Sequence, residues 1–148
     1  MSGVAVIRYL LVNNATLIAA VGVGPPTADK RIIVGEMPLA TVLPAISVVQ
    51  ISSVPRLIVS MNQTKTQYTD RVQVNVLVKT PLGNPPGGGY PSLHGILKLV
   101  LAACPHVRGI INGIDVDSVL PDFEGPDLSD DVTAILSNSR DFFVKYNS

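Results

Sequence analysis

The stretch Arg71-Val72-Gln73-Val74-Asn75-Val76-Leu77-Val78-Lys79-Thr80 decides how the rest of the chain is read. Its valines fall at every second position, so an extended chain turns all four to one side. Gln73, Asn75, Leu77 and Lys79 turn to the other. This is a strand with one face packed on a core. Immediately upstream, residues 53–70 are polar, carry Pro55 and include a Gln/Thr/Lys stretch at 63–67, with a short β-prone run at 56–61. They read as the arm of a long hairpin. Its other strand is Ala45-Ile46-Ser47-Val48-Val49-Gln50-Ile51-Ser52, β-rich and mostly apolar, as expected where much of both faces is covered.

Outward from this hairpin the elements follow from spacing and punctuation. Residues 31–35 form a short strand candidate. Residues 22–30 hold two glycines and Pro25-Pro26, and residues 36–41 hold Pro38, so both are loops. At the start, Val4, Ile7 and Leu11 share one helical face with Leu10 beside it. Extending that helix would bury Asn14, so it ends near Val12. Asn14 then caps a second short helix over 15–21, which Gly22 closes.

Downstream, residues 81–89 (Pro-Leu-Gly-Asn-Pro-Pro-Gly-Gly-Gly) form a Gly/Pro-rich loop. A helix over 91–103 follows, with Leu93, Ile96, Leu97, Val100 and Leu101 inward, Pro91 in its first turn and Pro105 past its end. Strand candidates at 106–111 and 114–120 flank Asn112-Gly113, the strongest short hairpin signal. Residues 121–131 read as an acidic loop, and residues 132–136 and 140–146 as a last hairpin. The result is a single α+β domain over 1–148, with a mostly antiparallel sheet of five to six strands, two backing helices and a long hairpin arm.

Composition limits the function classes. The 148 residues are 47% hydrophobic and 15% charged, with eleven basic and eleven acidic residues. A zero net charge disfavours a protein held to nucleic acid by phosphate neutralisation. Together with a mean hydropathy of +0.38, it suits a subunit that hides surface in partners. The single cysteine, Cys104, excludes an internal disulfide, and its apolar setting reads as a buried small hydrophobe rather than a nucleophile. No apolar run reaches the roughly 18 residues of a membrane span. The first residues lack a basic leader pattern, so a cytoplasmic site of synthesis and no membrane partner are expected.

No motif announces catalysis. The Gly-rich loop lacks the Gly-Lys-Ser/Thr ending, and its prolines remove amide donors a phosphate would need. His94 and His106 lack carboxylates at metal-ligand spacing. Asp115 and Asp117 lie two apart on a strand and share a face. They could form a cation or acid/base pair, or be the solvated side of a hairpin with Ile114 and Val116 inward. No catalytic, metal or cofactor residue is assigned. The charge is segregated. Asp115, Asp117, Asp122, Glu124, Asp127, Asp130 and Asp131 crowd a stretch with no Lys or Arg between Arg108 and Arg140. Arg8, Lys30, Arg31, Arg56, Lys65, Arg71 and Lys79 come earlier. That suits head-to-tail subunit contact, an acidic lumen that DNA slides through, or a solvated acidic loop.

The order of elements and several packing phrases resemble the tail-completion proteins (tail terminators) that join tails to heads in long-tailed bacteriophages. The phrases are Ile7-Arg8-Tyr9-Leu10-Leu11 with Ala15-Thr16-Leu17-Ile18-Ala19-Ala20-Val21-Gly22, then Leu43-Pro44-Ala45-Ile46-Ser47-Val48-Val49-Gln50. Asp70-Arg71-Val72-Gln73-Val74-Asn75-Val76 follows, then the helix after the Gly-rich loop, and finally Ser139-Arg140-Asp141-Phe142-Phe143-Val144-Lys145-Tyr146. They span nearly the whole chain. The insertion at 82–89 and the acidic loop are longer than the family pattern. The resemblance implies a non-enzymatic, cofactor-free subunit of a homo-hexameric ring. Such a ring caps the tail tube and meets the head-closure proteins of the connector, with DNA as passing cargo. It belongs to the tail or neck of a virion assembled in the host cytoplasm. By position, the contacting arm is 53–70, with Arg56, Leu57, Ile58 and Lys65, and Asp115 and Asp117 are further interface candidates. Two other readings stay open: a neck or head-closure ring, and a small-molecule-binding oligomer with His94, His106, Asp115 and Asp117 at a shared interface.

Overall fold

The computed structural model describes residues 2–21, 31–36, 43–60, 63–79, 89–130 and 135–147. The described residues form α1 (Ser2–Val12), α2 (Ala15–Val21), β1 (Ile32–Val34), β2 (Ala45–Ser60), β3 (Gln63–Lys79) and α3 (Tyr90–Ala103). The chain continues through β4 (Gly109–Ile111), β5 (Ile114–Glu124), β6 (Leu128–Asp130) and β7 (Ile135–Asn147). The architecture is α+β. Seven strands make one sheet in the order β1-β2-β3-β7-β5-β4, with β6 paired to β7 off that path. Only the β1–β2 pair is parallel. The other pairs are antiparallel.

The valine alternation sets the packing. Val72, Val74, Val76 and Val78 are all buried. Across the sheet they meet Val48 and Ile46 of β2 and Phe142 and Leu136 of β7. All three helices lie on this side. α1 packs over β1 to β3, α3 over β3 and β7, and α2 against α3. Ile7, Leu11, Leu17, Leu93, Leu97 and Val100 close the core from above. α1 and α2 meet at an 81° bend, and both give their apolar residues to this core. No single helix among the described residues is long and apolar enough to cross a membrane.

Polar groups fix the helix ends. Asn14 Oδ1 accepts from the Leu17 amide at 2.9 Å, the cap expected for α2. Buried Arg31 donates to the Val21 carbonyl at 2.9 Å, meeting an orphan acceptor where α2 ends. The start of α1 is held from the sheet. Asp70, fully buried on β3, accepts the Gly3 amide at 3.0 Å and the Ser53 hydroxyl at 2.5 Å. A Cβ on Gly3 would lie 2.6 Å from the Asp70 Cβ, so this approach requires glycine.

Four readings of the sequence change. The strand at 45–52 and the first part of the arm, with its β-prone run, are one continuous strand, β2, to Ser60, with a bulge between Gln50 and Ser52. Proline is tolerated at 55 because β1 covers β2 only at Ile46 to Val48, which leaves Pro55 on an open edge among the described residues. The acidic loop at 121–131 is largely strand: β5 runs to Glu124 and β6 covers Leu128–Asp130. Of the last hairpin, Ile135–Asn147 is a single long strand, β7, whose residue partners lie on β3, β5 and β6; residues 132–134 lie outside the described residues. The strand expected at 106–111 starts only at Gly109. Residues 81–88 of the Gly/Pro-rich loop, and residue 80 before it, lie outside the described residues.

Candidate functional site

The hairpin arm leaves the body of the sheet. β3 pairs with β7 only as far as Gln67, opposite Asn147. Beyond that point, among the described residues, β3 has β2 alone, from Leu57↔Thr66 to Ser60↔Gln63. At about 3.4 Å per residue the free ribbon reaches roughly 14 Å from Arg56 to Ser60. Two strands with no packed face are marginal in water. Yet Leu57 is 63% exposed and Val59 72%, with Ile58 also exposed. These apolar side chains stand together on the projecting part of the hairpin. Arg56 and Lys65 are exposed on the same ribbon. The register places Lys65 opposite Ile58.

The base of the ribbon is tied down. Asp70 bridges β3 to α1 and to Ser53 of β2. Tyr68 stacks on Tyr146 with ring centroids 5.3 Å apart. The ribbon is therefore aimed by the body while its outer half is free of it.

The other end of the sheet is acidic and also carries apolar groups. Asp115 accepts from Asn147 Nδ2, and Asp117 from Gln67 Nε2, each at 3.2 Å. Gln67 and Asn147 are cross-strand partners, so both carboxylates sit over one spot. Arg108 Nε lies 3.6 Å from Asp117, Arg71 Nη2 3.9 Å from Asp122, and Arg140 Nη2 3.3 Å from Glu124. Arg71 also donates twice to Asp141, at 2.6 and 2.9 Å. Among these acids stand Ile110, Leu120, Phe123 and Leu128, all exposed. Phe123 and Leu128 gave little signal in the sequence, since single apolar residues in an acidic, proline-containing stretch resemble an ordinary loop.

The residues of the ligand-site reading have separate neighbours. His94 Nε2 lies 3.0 Å from Asp127, which also accepts from Asn138 at 2.6 Å. His106 is exposed ahead of β4. Asp115 and Asp117 are engaged as above. No group of three His, Cys, Asp or Glu side chains among the described residues is placed to hold a metal ion. Cys104 is buried, and burial pushes its thiol up to about 12, so it stays protonated and unreactive. A groove of about 520 Å³ crosses the helix-free face, bordered by Gln73, Asn75, Leu77, Phe123, Leu128 and Ser139. It offers apolar walls and neutral amide and hydroxyl groups, and none of the described residues that line it is ionisable.

No protein-family model matches the sequence, and no curated protein is similar enough to match. Among solved structures, the fold is similar to that of a chain in the virion of a native gene transfer agent particle. The TM-score is 0.64 at 11% sequence identity, over 98% of this chain and 94% of that one. At that identity the likeness is one of fold.

Proposed function

We propose that this protein is a structural subunit of a phage-like virion. It forms a ring that closes the tail tube and joins it to the head connector, with DNA passing through the lumen. The observation that carries this reading is the near end-to-end fold likeness to a chain of a gene transfer agent virion. The surface supports it. An apolar ribbon projects from the β2–β3 side of the sheet and an acidic, partly apolar edge lies along β5, so one subunit offers two different surfaces for contacts. The role is mechanical, with Arg56, Leu57, Ile58 and Lys65 contacting the tail tube and no cofactor taking part.

The test shortens the ribbon without touching its base. Replacing residues 57–66 by Asn-Gly links the Arg56↔Gln67 pair through a two-residue turn. It keeps Tyr68 and Asp70. The variant should fold and melt like the parent but fail to join tails to heads in a complementation assay. Normal yields of joined particles would overturn the role of the arm. Binding to connectors but never to tubes would move the protein to the head-closure side of the neck.

A further inference from the structure

We infer that the subunits join by sheet continuation, the outer edge of β2 in one copy pairing with the outer edge of β5 in the next. The occupant of each edge is a second copy of this chain. The inference deepens the ring reading and rests on it.

Both edges are open over matched lengths. β1 covers β2 only at Ile46 to Val48, so among the described residues β2 has no outer partner from Val49 onward. β4 covers β5 only at Ile114 to Val116, so β5 has none from Asp117 to Glu124. Unpaired edges of this kind readily take another strand. The registers place the two at the same height. Ser52 faces Arg71, Arg71 faces Phe143, and Phe143 faces Leu120; Val54 connects likewise through Thr69 and Lys145 to Ser118. Sliding a copy sideways, with no shift along the strands, therefore sets 49–54 beside 117–122. Alternating strand directions make that junction antiparallel.

Side chains agree with the backbone. Residues paired across a ladder point to one face, so Val54 (with Thr69) and Leu120 (with Phe143) both lie on the helix-free face, and both are exposed. The pairing has a built-in stop. β4 occupies the next strand row beside Ile114 to Val116, so the neighbour's β2 must leave the sheet at about Pro55. The ribbon beyond it is then free for a different partner along the ring axis.

The test uses two engineered cysteines, Val54→Cys and Ser118→Cys, in the full chain under mild oxidation, in solution and on tail tubes. The native Cys104 is buried. The double variant should give a covalent ladder extending to a closed ring, and each single variant only monomers. A dimer from Val54→Cys alone would show arm-to-arm pairing and overturn the proposal, as would no ladder in either setting. Charge variants provide a second reading. Val54→Glu and Leu120→Glu should each be folded monomers, and their mixture a 1:1 dimer of twice the mass. Assembly of either variant alone would overturn the proposal. Tubes capped without a ladder would leave the ring reading standing and remove this interface. A ladder with no binding to tubes would do the reverse.

Discussion

Removing the Asp70 carboxylate should loosen the joint between α1 and the base of the arm. Asp70 is fully buried and accepts two hydrogen bonds, one from the Gly3 amide and one from the Ser53 hydroxyl. The Gly3 amide belongs to the first turn of α1, where no intrahelical acceptor exists, so the carboxylate acts as a cap delivered from a distant strand. A hydrogen bond to a charged group contributes about 1.5–3 kcal/mol. Asp70→Asn keeps one acceptor oxygen and leaves one donor unmet, a loss of about 2 kcal/mol. Asp70→Ala strands both donors and leaves a small cavity, a loss of about 4 kcal/mol. Unfolding entropy near 2.1 cal/mol/K per residue gives about 0.3 kcal/mol/K for this length, so Tm should fall by roughly 6 and 13 °C. Urea unfolding followed by circular dichroism measures the midpoint, with the slope unchanged if only stability moves. Ser53→Ala in both backgrounds completes a double-mutant cycle, which should show coupling of at least about 0.5 kcal/mol. If Asp70→Ala melted within 2 °C of the parent, the joint would not be holding α1.

Other expectations follow from the same residues. Phe142, fully buried at the middle of β7, should cost about 3–5 kcal/mol when cut to alanine; a loss below about 1 kcal/mol in urea titration would contradict the packing. Burial holds the Cys104 thiol at about 12 against an ordinary value of 9.0. Its stabilising contribution is therefore complete below pH 9 and is lost from there to about 12, at roughly 1.4 kcal/mol per pH unit. Cys104→Ala should flatten the fall in urea midpoint between pH 9 and 10.5, and equal slopes would contradict the assignment. Asp115→Asn with Asp117→Asn should cost under about 1 kcal/mol, because both carboxylates are solvated and make surface contacts; a drop of several degrees in Tm by calorimetry would mean that they are buried partners.

Local chemistry made much of the fold legible. The alternation at 72–78, the Asn14 cap and the Pro91 start of α3 each depend on neighbours in sequence. So does the Asn112-Gly113 turn, where both residues take positive φ, 51° and 76°. What was not legible depends on pairing across long separations. Pro55 suggests a break until β2 is known to have an open edge there among the described residues. Pro121 suggests a loop until Phe142 is seen opposite it. β7 looks like two short strands because Ser137, Asn138 and Ser139 interrupt its apolar pattern, yet these residues lie between β3 and β6 or face the helix-free groove. The arm was visible as a polar hairpin with apolar residues. The far part of the opposing edge was not, because Phe123 and Leu128 stand singly among acids and prolines. The depth of Asp70 was also hidden, since nothing in sequence connects it to Gly3.

The central claim, that this chain is the ring subunit that closes a tail tube, is tested most directly by adding the purified protein to tail tubes assembled without it. Mass measurement and negative-stain imaging then read the outcome. Sixfold rings seated on one end of each tube, and tubes that become competent to join heads, are the expected result. A protein that leaves tube ends bare and stays a dimer or trimer of fixed mass would contradict it.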